Sequence, residues 1–164
     1  MTEPAAGLCR TVVLGLGNPV RCDDAVGLCV AAAVEKLLEA GPVPGVTVLT
    51  STRAGLELIE LLSGANRAVI VDCLVTPDAV PGRVRRLTLD DVAGSARLVG
   101  AHDITIGDAI ALGRAAGVAM PDVVEIYGVE AIETDVIEEG LSPVVAAAVP
   151  VLAREIHRRL VSEP

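Results

Sequence analysis

An apolar run that stops at a glycine turn constrains this chain more than any other feature. Val12-Val13-Leu14-Gly15-Leu16 barely alternates with polar residues, as a strand buried on both faces does. Gly17 and Asn18 break it, Asp23 and Asp24 follow, and Val26, Val30, Ala33, Val34 and Leu37 then recur at helical spacing. Gly41-Pro42 stops that helix. A strand covered on both faces needs helices on each side of its sheet, so this stretch predicts an α/β protein. Its glycine turn then lies on the rim where such proteins place their chemistry.

The same alternation runs through the rest of the sequence. Strands are predicted over 11–16, 46–49, 68–71 and 123–129, with Asp72 ending the third. Residues 83–89 set Val84, Leu87 and Leu89 against arginines, which predicts an exposed edge strand. Helices are predicted over 24–38, 56–62, 104–116 and 143–161, the last with Ser142 as N-cap and Pro143 at its first position. Residues 90–101 lose the pattern and read as a mobile loop, and 135–141 as an acidic irregular stretch. These elements predict a three-layer α/β/α sandwich with a mostly parallel five-stranded sheet. Residues 1–164 form one domain on this reading, with no internal repeat and no linker.

Composition narrows the function. A net charge of -9 lacks the basic footprint of a nucleic-acid binder, and with no Phe or Trp there is no stacking platform for single strands. The mean hydropathy of +0.59 is spread through periodic segments, and no run approaches the ~20 residues of a membrane span. The first ten residues lack the pattern of a signal peptide. Cys9, Cys22, Cys29 and Cys73 show no C-x-x-C spacing, so reduced thiols and a cytoplasmic location are expected. The arginines at 83, 85 and 86, and at 154, 158 and 159, read as solvated faces.

Three positions combine a rim location with ligating or acid–base side chains: Asp23 and Asp24 after the first strand, Asp72 at the end of the third, and His102 before the third helix. Carboxyl ends of parallel strands share one edge, so these residues can meet. Two carboxylates and an imidazole suit Ni, Zn, Fe or Mn. Asp24 alone also reads as a helix cap, Asp72 as a residue satisfied by a turn, and His102 as a turn residue. His157 reads as a surface residue. Cys22 and Cys73 flank the site and are read as small apolar residues rather than as ligands or a nucleophile. Gly15-x-Gly17 opens a dinucleotide fingerprint, but Val20 stands where the third glycine belongs. The paired aspartates would also repel a pyrophosphate. No P-loop and no G-x-S-x-G elbow occurs.

Gly15-x-Gly17-Asn18 followed by Asp23-Asp24-x-x-Gly27 resembles the opening motif of the hydrogenase maturation endopeptidases. The resemblance continues through Val71-Asp72, Pro81-Gly82-x-Val84, Ala101-His102 and Leu141-Ser142-Pro143. It implies a twisted, phosphorylase/hydrolase-like five-stranded sheet between helices, and an aspartyl-type peptidase that removes the C-terminal tail of a [NiFe] hydrogenase large-subunit precursor after nickel insertion. It places the family's metal-binding acid on Asp24, its aspartate on Asp72 and its histidine on His102, as both metal and catalytic residues. The nickel is expected to arrive with the precursor, and Asn18 to help position the tail. The sequence departs from the family pattern at Thr50-Ser51-Thr52-Arg53, where an Asp-Gly-Gly-Thr-like turn is common, and at Asp24, where Glu is often found. The altered turn motivates an alternative, a nickel-checkpoint scaffold that binds the precursor without cutting it. A third reading is a metal-dependent hydrolase of another peptide.

Overall fold

The computed structural model describes residues 10–53, 55–94, 97–98, 104–131, 137 and 139–163. In chain order it contains β1 (Thr11–Leu16), α1 (Val26–Ala40), β2 (Val46–Ser51), α2 (Glu57–Leu62), β3 (Arg67–Val75) and β4 (Val84–Leu87). Then come α3 (Leu89–Gly94), β5 (Arg97–Leu98), α4 (Ile106–Ala115), β6 (Val123–Glu130) and α5 (Pro143–Ser162). The main sheet has the order β2-β1-β3-β6-β4. Its first four members are parallel, β4 runs antiparallel to β6, and the two-residue β5 pairs antiparallel with the end of β3.

Residue alternation sorts the two faces. Val12, Leu14 and Leu16 of β1 and Ala68, Ile70 and Leu74 of β3 pack under α2, α3 and α4 with Leu58, Leu62, Val92, Ile106 and Ile110. Val13, Val69, Val71 and Cys73 pack under α1 and α5 with Val30, Val34, Leu152 and Ile156. This is the expected α/β/α sandwich, its core aliphatic apart from Tyr127. α5 carries Pro150 in its interior, a residue that costs a helix about 3 kcal/mol. Leu152, Ile156 and Leu160, all fully buried, each contribute roughly 1.5–3 kcal/mol and outweigh it. No described helix is long and apolar enough to cross a membrane.

The structure corrects two expectations. Strand β3 does not stop at Asp72 but runs on to Val75, because β6 keeps pairing with it through Leu74. Pairing with β1, however, ends at Gly15 opposite Val71. Asp72 is thus the first residue of β3 beyond its β1 ladder. Within the stretch read as a mobile loop, residues 89–94 form α3 and 97–98 form β5. Thr88 starts α3: its N–H and hydroxyl both donate to Asp91, a local exchange that small polar residues make easily.

Connectivity then fixes where a site belongs. The connection after β1 crosses the α1 face, and the one after β3 crosses the α3 and α4 face. β1 and β3 are neighbours, so their connections part at the rim and leave a crevice there, as at any topological switch point.

Candidate functional site

The glycine turn is a device for close approach. Gly17, at φ +149°, has a backbone that a side chain would force against the carbonyl of Asp24. A Cβ on Gly27, at the start of α1, would overlap the carbonyls of both Leu16 and Val71. One on Gly15 would overlap the carbonyl of Gly27 and approach the Ala31 methyl to 2.7 Å. The first turn of α1 therefore rests directly on the backbones of β1 and β3, which only glycine permits.

Between the turn and α1, residues Cys22–Ala25 form one 3₁₀ turn that buries Asp23, Asp24 and Ala25. Asn18 shapes its entry: its Oδ1 accepts the N–H of Val20 at 3.1 Å, so that oxygen holds the loop. Cys22 sits at φ +36°, a left-handed conformation forced by the tight reversal. Asp24 is not the N-cap of α1, which is Ala25, one residue further on.

The two adjacent aspartates have different work. Asp23 reaches across to the last helix: its Oδ1 accepts the backbone N–H of Ser142 at 2.7 Å, and its Oδ2 the Ser142 hydroxyl at 3.0 Å. Ser142 is the N-cap of α5 as expected, but its hydroxyl is given to Asp23 and makes no cap bond. Asp24 is 4% exposed and Asp72 1% exposed. Asp72 Oδ1 accepts the N–H of Cys73 at 2.7 Å. Burial pushes the Cys73 thiol well up, and the negative charges of Asp72, Asp24 and Asp23 push it further. The carboxylates from β3 and from the 3₁₀ turn thus all act on the Cys73 thiol, which packs beneath α1 and α5. Their fields keep Cys73 protonated, which agrees with its reading as an apolar residue.

His102 lies outside the described residues. Among the described residues, no group of three or more His, Cys, Asp and Glu is placed to hold a metal ion. The turn that departs from the family pattern is closed by its own polar groups. The Ser51 hydroxyl donates to the Arg53 carbonyl at 2.9 Å and accepts the Arg53 N–H at 3.1 Å, while the Ser51 carbonyl accepts the N–H of Gly17.

The arginine clusters are not merely solvated faces. Glu125, buried, takes Arg67, Arg86 and Arg159. Glu130, fully buried, accepts Val80 N–H and Arg83 Nε through Oε2, each at 2.8 Å, and Arg83 through Oε1 at 2.9 Å. Burial works against its charge, but the Arg83 and Val80 donors and the Arg85 charge hold its carboxyl below the usual range. Glu130 thereby fixes the loop between β3 and β4 to the sheet. Sequence reasoning missed both Glu130 and the Asp23 clamp. The signal available for Glu130 was an acid on the core parity of β6 with arginines in the neighbouring edge strand.

Parallel strands between two helix layers, with a switch point between β1 and β3 where Gly15, Gly17 and Gly27 allow close backbone packing, define a three-layer α/β protein. The hydrogenase-maturating endopeptidase HybD of Escherichia coli shares the architecture: TM-score 0.76, 22% identity, 93% of each chain covered. HybD of Thermococcus kodakarensis aligns with TM-score 0.66 and 26% identity over 92% of this chain and 98% of its own. In sequence, the chain is 27% identical to the hydrogenase 2 maturation protease of Escherichia coli over 143 residues, 85% of this chain and 84% of the relative. Residues 31–159 match the model of the hydrogenase maturation protease family. The chain belongs to that family, whose members are endopeptidases.

Proposed function

We propose that this endopeptidase removes the C-terminal extension of a [NiFe] hydrogenase large-subunit precursor, and that it recognises nickel already seated in that precursor. The nickel belongs to the substrate. Asp24, Asp72 and His102 are the residues that would meet it. One observation supports the reading: two buried carboxylates, 48 positions apart in sequence (72 minus 24), one on β3 and one on the turn after β1, both act on the Cys73 thiol.

The donor set fits. Oxygen donors with an imidazole suit a borderline divalent metal. Burial also makes the pair selective. Without the metal, a neutral tail gains nothing from meeting two anions, so the metal acts as the mark of a mature precursor. Asp23 keeps the 3₁₀ turn in place and holds Asp24 beside β3, and the glycine contacts leave α1 no room to shift.

Mass spectrometry of nickel-loaded precursor incubated with the wild type tests this. Shortening by the wild type is expected, with at least a hundredfold slower processing by Asp24→Asn, Asp72→Asn and His102→Ala. Equal shortening of nickel-free precursor would remove the metal from recognition, and equal cleavage by His102→Ala would remove that residue from the site.

A further inference from the structure

The turn between β1 and α1 is closed on itself. Gly17 lies against the carbonyl of Asp24, so the six residues between them form a compact loop. Two further backbone bonds pin it: the Asn18 carbonyl accepts the N–H of Arg21 at 3.2 Å, and the Arg21 carbonyl accepts the N–H of Asp24 at 2.9 Å. Asn18 and Arg21 are both half-buried in this loop. Arg21 is thereby fixed one hydrogen bond from Asp24.

The side-chain donors of the loop are few. Between Gly17 and Asp24 only Asn18, Arg21 and Cys22 carry one. The Cys22 thiol faces Asp23 Oδ1 at 3.9 Å. Asn18 gives its Oδ1 to the Val20 N–H, which leaves its NH₂ group without an acceptor among the described residues. A turn of this kind needs the oxygen alone, and aspartate forms it as asparagine does, so the amide hydrogens are surplus to it.

Arg21 is uncommitted too. Among the described residues no carboxylate lies within ion-pair distance of its guanidinium, although Asp23 and Asp24 follow within three positions. Ser142 takes both oxygens of Asp23. Arg67, Arg83, Arg86 and Arg159, by contrast, all hold buried glutamates. Even in a chain of net charge -9, with acids in excess, Arg21 keeps its donors open.

Peptide hydrolysis has a use for both groups. Water's oxygen bonds to the scissile carbonyl carbon while the π pair moves onto the carbonyl oxygen. The pair then returns and breaks the C–N bond, and both water protons end on the leaving nitrogen. Between these events the oxygen is negative, a charge that Asp24 and Asp72 oppose and that hydrogen-bond donors stabilise. Other side-chain donors at this edge are spent or further off. The Ser51 hydroxyl goes to the Arg53 carbonyl and that of Ser142 to Asp23, while Arg53 itself follows β2, on the far side of β1 from Asp72.

We infer that the Asn18 amide and the Arg21 guanidinium donate to the scissile carbonyl oxygen, as the charge-stabilising side of the endopeptidase site. The assignment rests on the endopeptidase activity of the family and on the proposed place of Asp24 at the site.

Processing of nickel-loaded precursor, followed by mass spectrometry over a range of precursor concentrations, separates kcat from KM. Asn18→Asp keeps the acceptor for the Val20 N–H and removes the donors. Its thermal midpoint should match that of the wild type while kcat falls at least about a hundredfold. Arg21→Gln should lower kcat about a hundredfold with KM within about twofold, and Arg21→Lys, which retains a cationic donor, should stay within about tenfold of wild type. Arg154→Gln, on the exposed face of α5, controls for the loss of one positive charge and should process like wild type. Wild-type kcat in either folded variant, Asn18→Asp or Arg21→Gln, overturns the assignment, as does a loss confined to KM, which reports binding of the ground state. An inactive Asp24→Asn in the same assay would leave the proposed function standing in that event.

Discussion

Both oxygens of the Asp23 carboxylate are committed to Ser142, one to its N–H and one to its hydroxyl. The 3₁₀ turn that buries Asp24 is thus fastened to the start of α5, 119 residues later in the chain. Two charge-assisted bonds in a largely buried place are worth more than an exposed pair. Asp23→Ala should lower stability by about 2–3 kcal/mol, and Ser142→Ala, which keeps the N–H bond, by about half as much. Urea midpoints at constant m-value measure both. The double variant should lose little beyond Asp23→Ala, because the two share one interaction. Fully additive losses would show that the residues act separately.

Gly15 and Gly27 touch through backbone atoms, and a methyl on either has nowhere to go. Core overpacking against flexible side chains costs about 1–3 kcal/mol, and here the obstacles are carbonyls of β1, β3 and α1 itself. Gly27→Ala should therefore reach or exceed the top of that range, despite alanine's better helix propensity. Gly107→Ala is the useful contrast: it lies in α4, where among the described residues an added Cβ would meet only the Thr105 hydroxyl of its own helix cap, at an ordinary 3.7 Å, and it should be neutral or stabilising. Thermal melts of the two variants compare them directly. A Gly27→Ala protein as stable as the wild type would refute the close-approach account.

Glu130 gives the fold an acid-sensitive point. Its carboxyl is held below the usual range in the folded protein, so between the folded and unfolded values the folded state binds fewer protons. The stabilisation is present above the unfolded value, about 4.3, and is lost as pH falls through the lower folded value. Asp91 and Asp108, lowered by their Thr88 and Thr105 hydrogen bonds, add to the same limb. Glu130→Gln should be less stable than wild type at pH 7 and show a shallower loss of stability below pH 4. Denaturation at a series of pH values gives both curves. Parallel curves would mean that Glu130 does not titrate with folding.

Much of this was readable in advance, for identifiable reasons. The runs Val12-Val13-Leu14 and Val69-Ile70-Val71 are apolar on both parities, so they announced central strands. Ser142-Pro143 announced α5. Asp72 was recognised, but its strand was cut short, because a charge inside a strand looks like an ending unless the partner strand is known. The reach from Asp23 to Ser142 crosses most of the chain, and no local spacing encodes it. α3 is not legible in the sequence because, of residues 89–92, only Val92 is buried, so its periodicity is too weak to see beside the Thr88–Asp91 exchange that starts it.

Cys73 lies next to Asp72 and so invites a role as nucleophile, which its surroundings deny. It is fully buried, and burial together with three nearby carboxylates drives its thiol up, far from the thiolate that attack or metal binding requires. Iodoacetamide at pH 8 should leave Cys73 unmodified in the native protein while the partly exposed Cys22 reacts, as peptide mass mapping would record. Cys73→Ala should retain precursor processing within about threefold, whereas loss of a true nucleophile costs several powers of ten. Its effect should fall on stability instead, by roughly 1–2 kcal/mol for the small cavity left among Val71, Val129 and their neighbours. Rapid alkylation of Cys73, or collapse of processing in a stable Cys73→Ala protein, would move the reacting group from the carboxylates to the thiol.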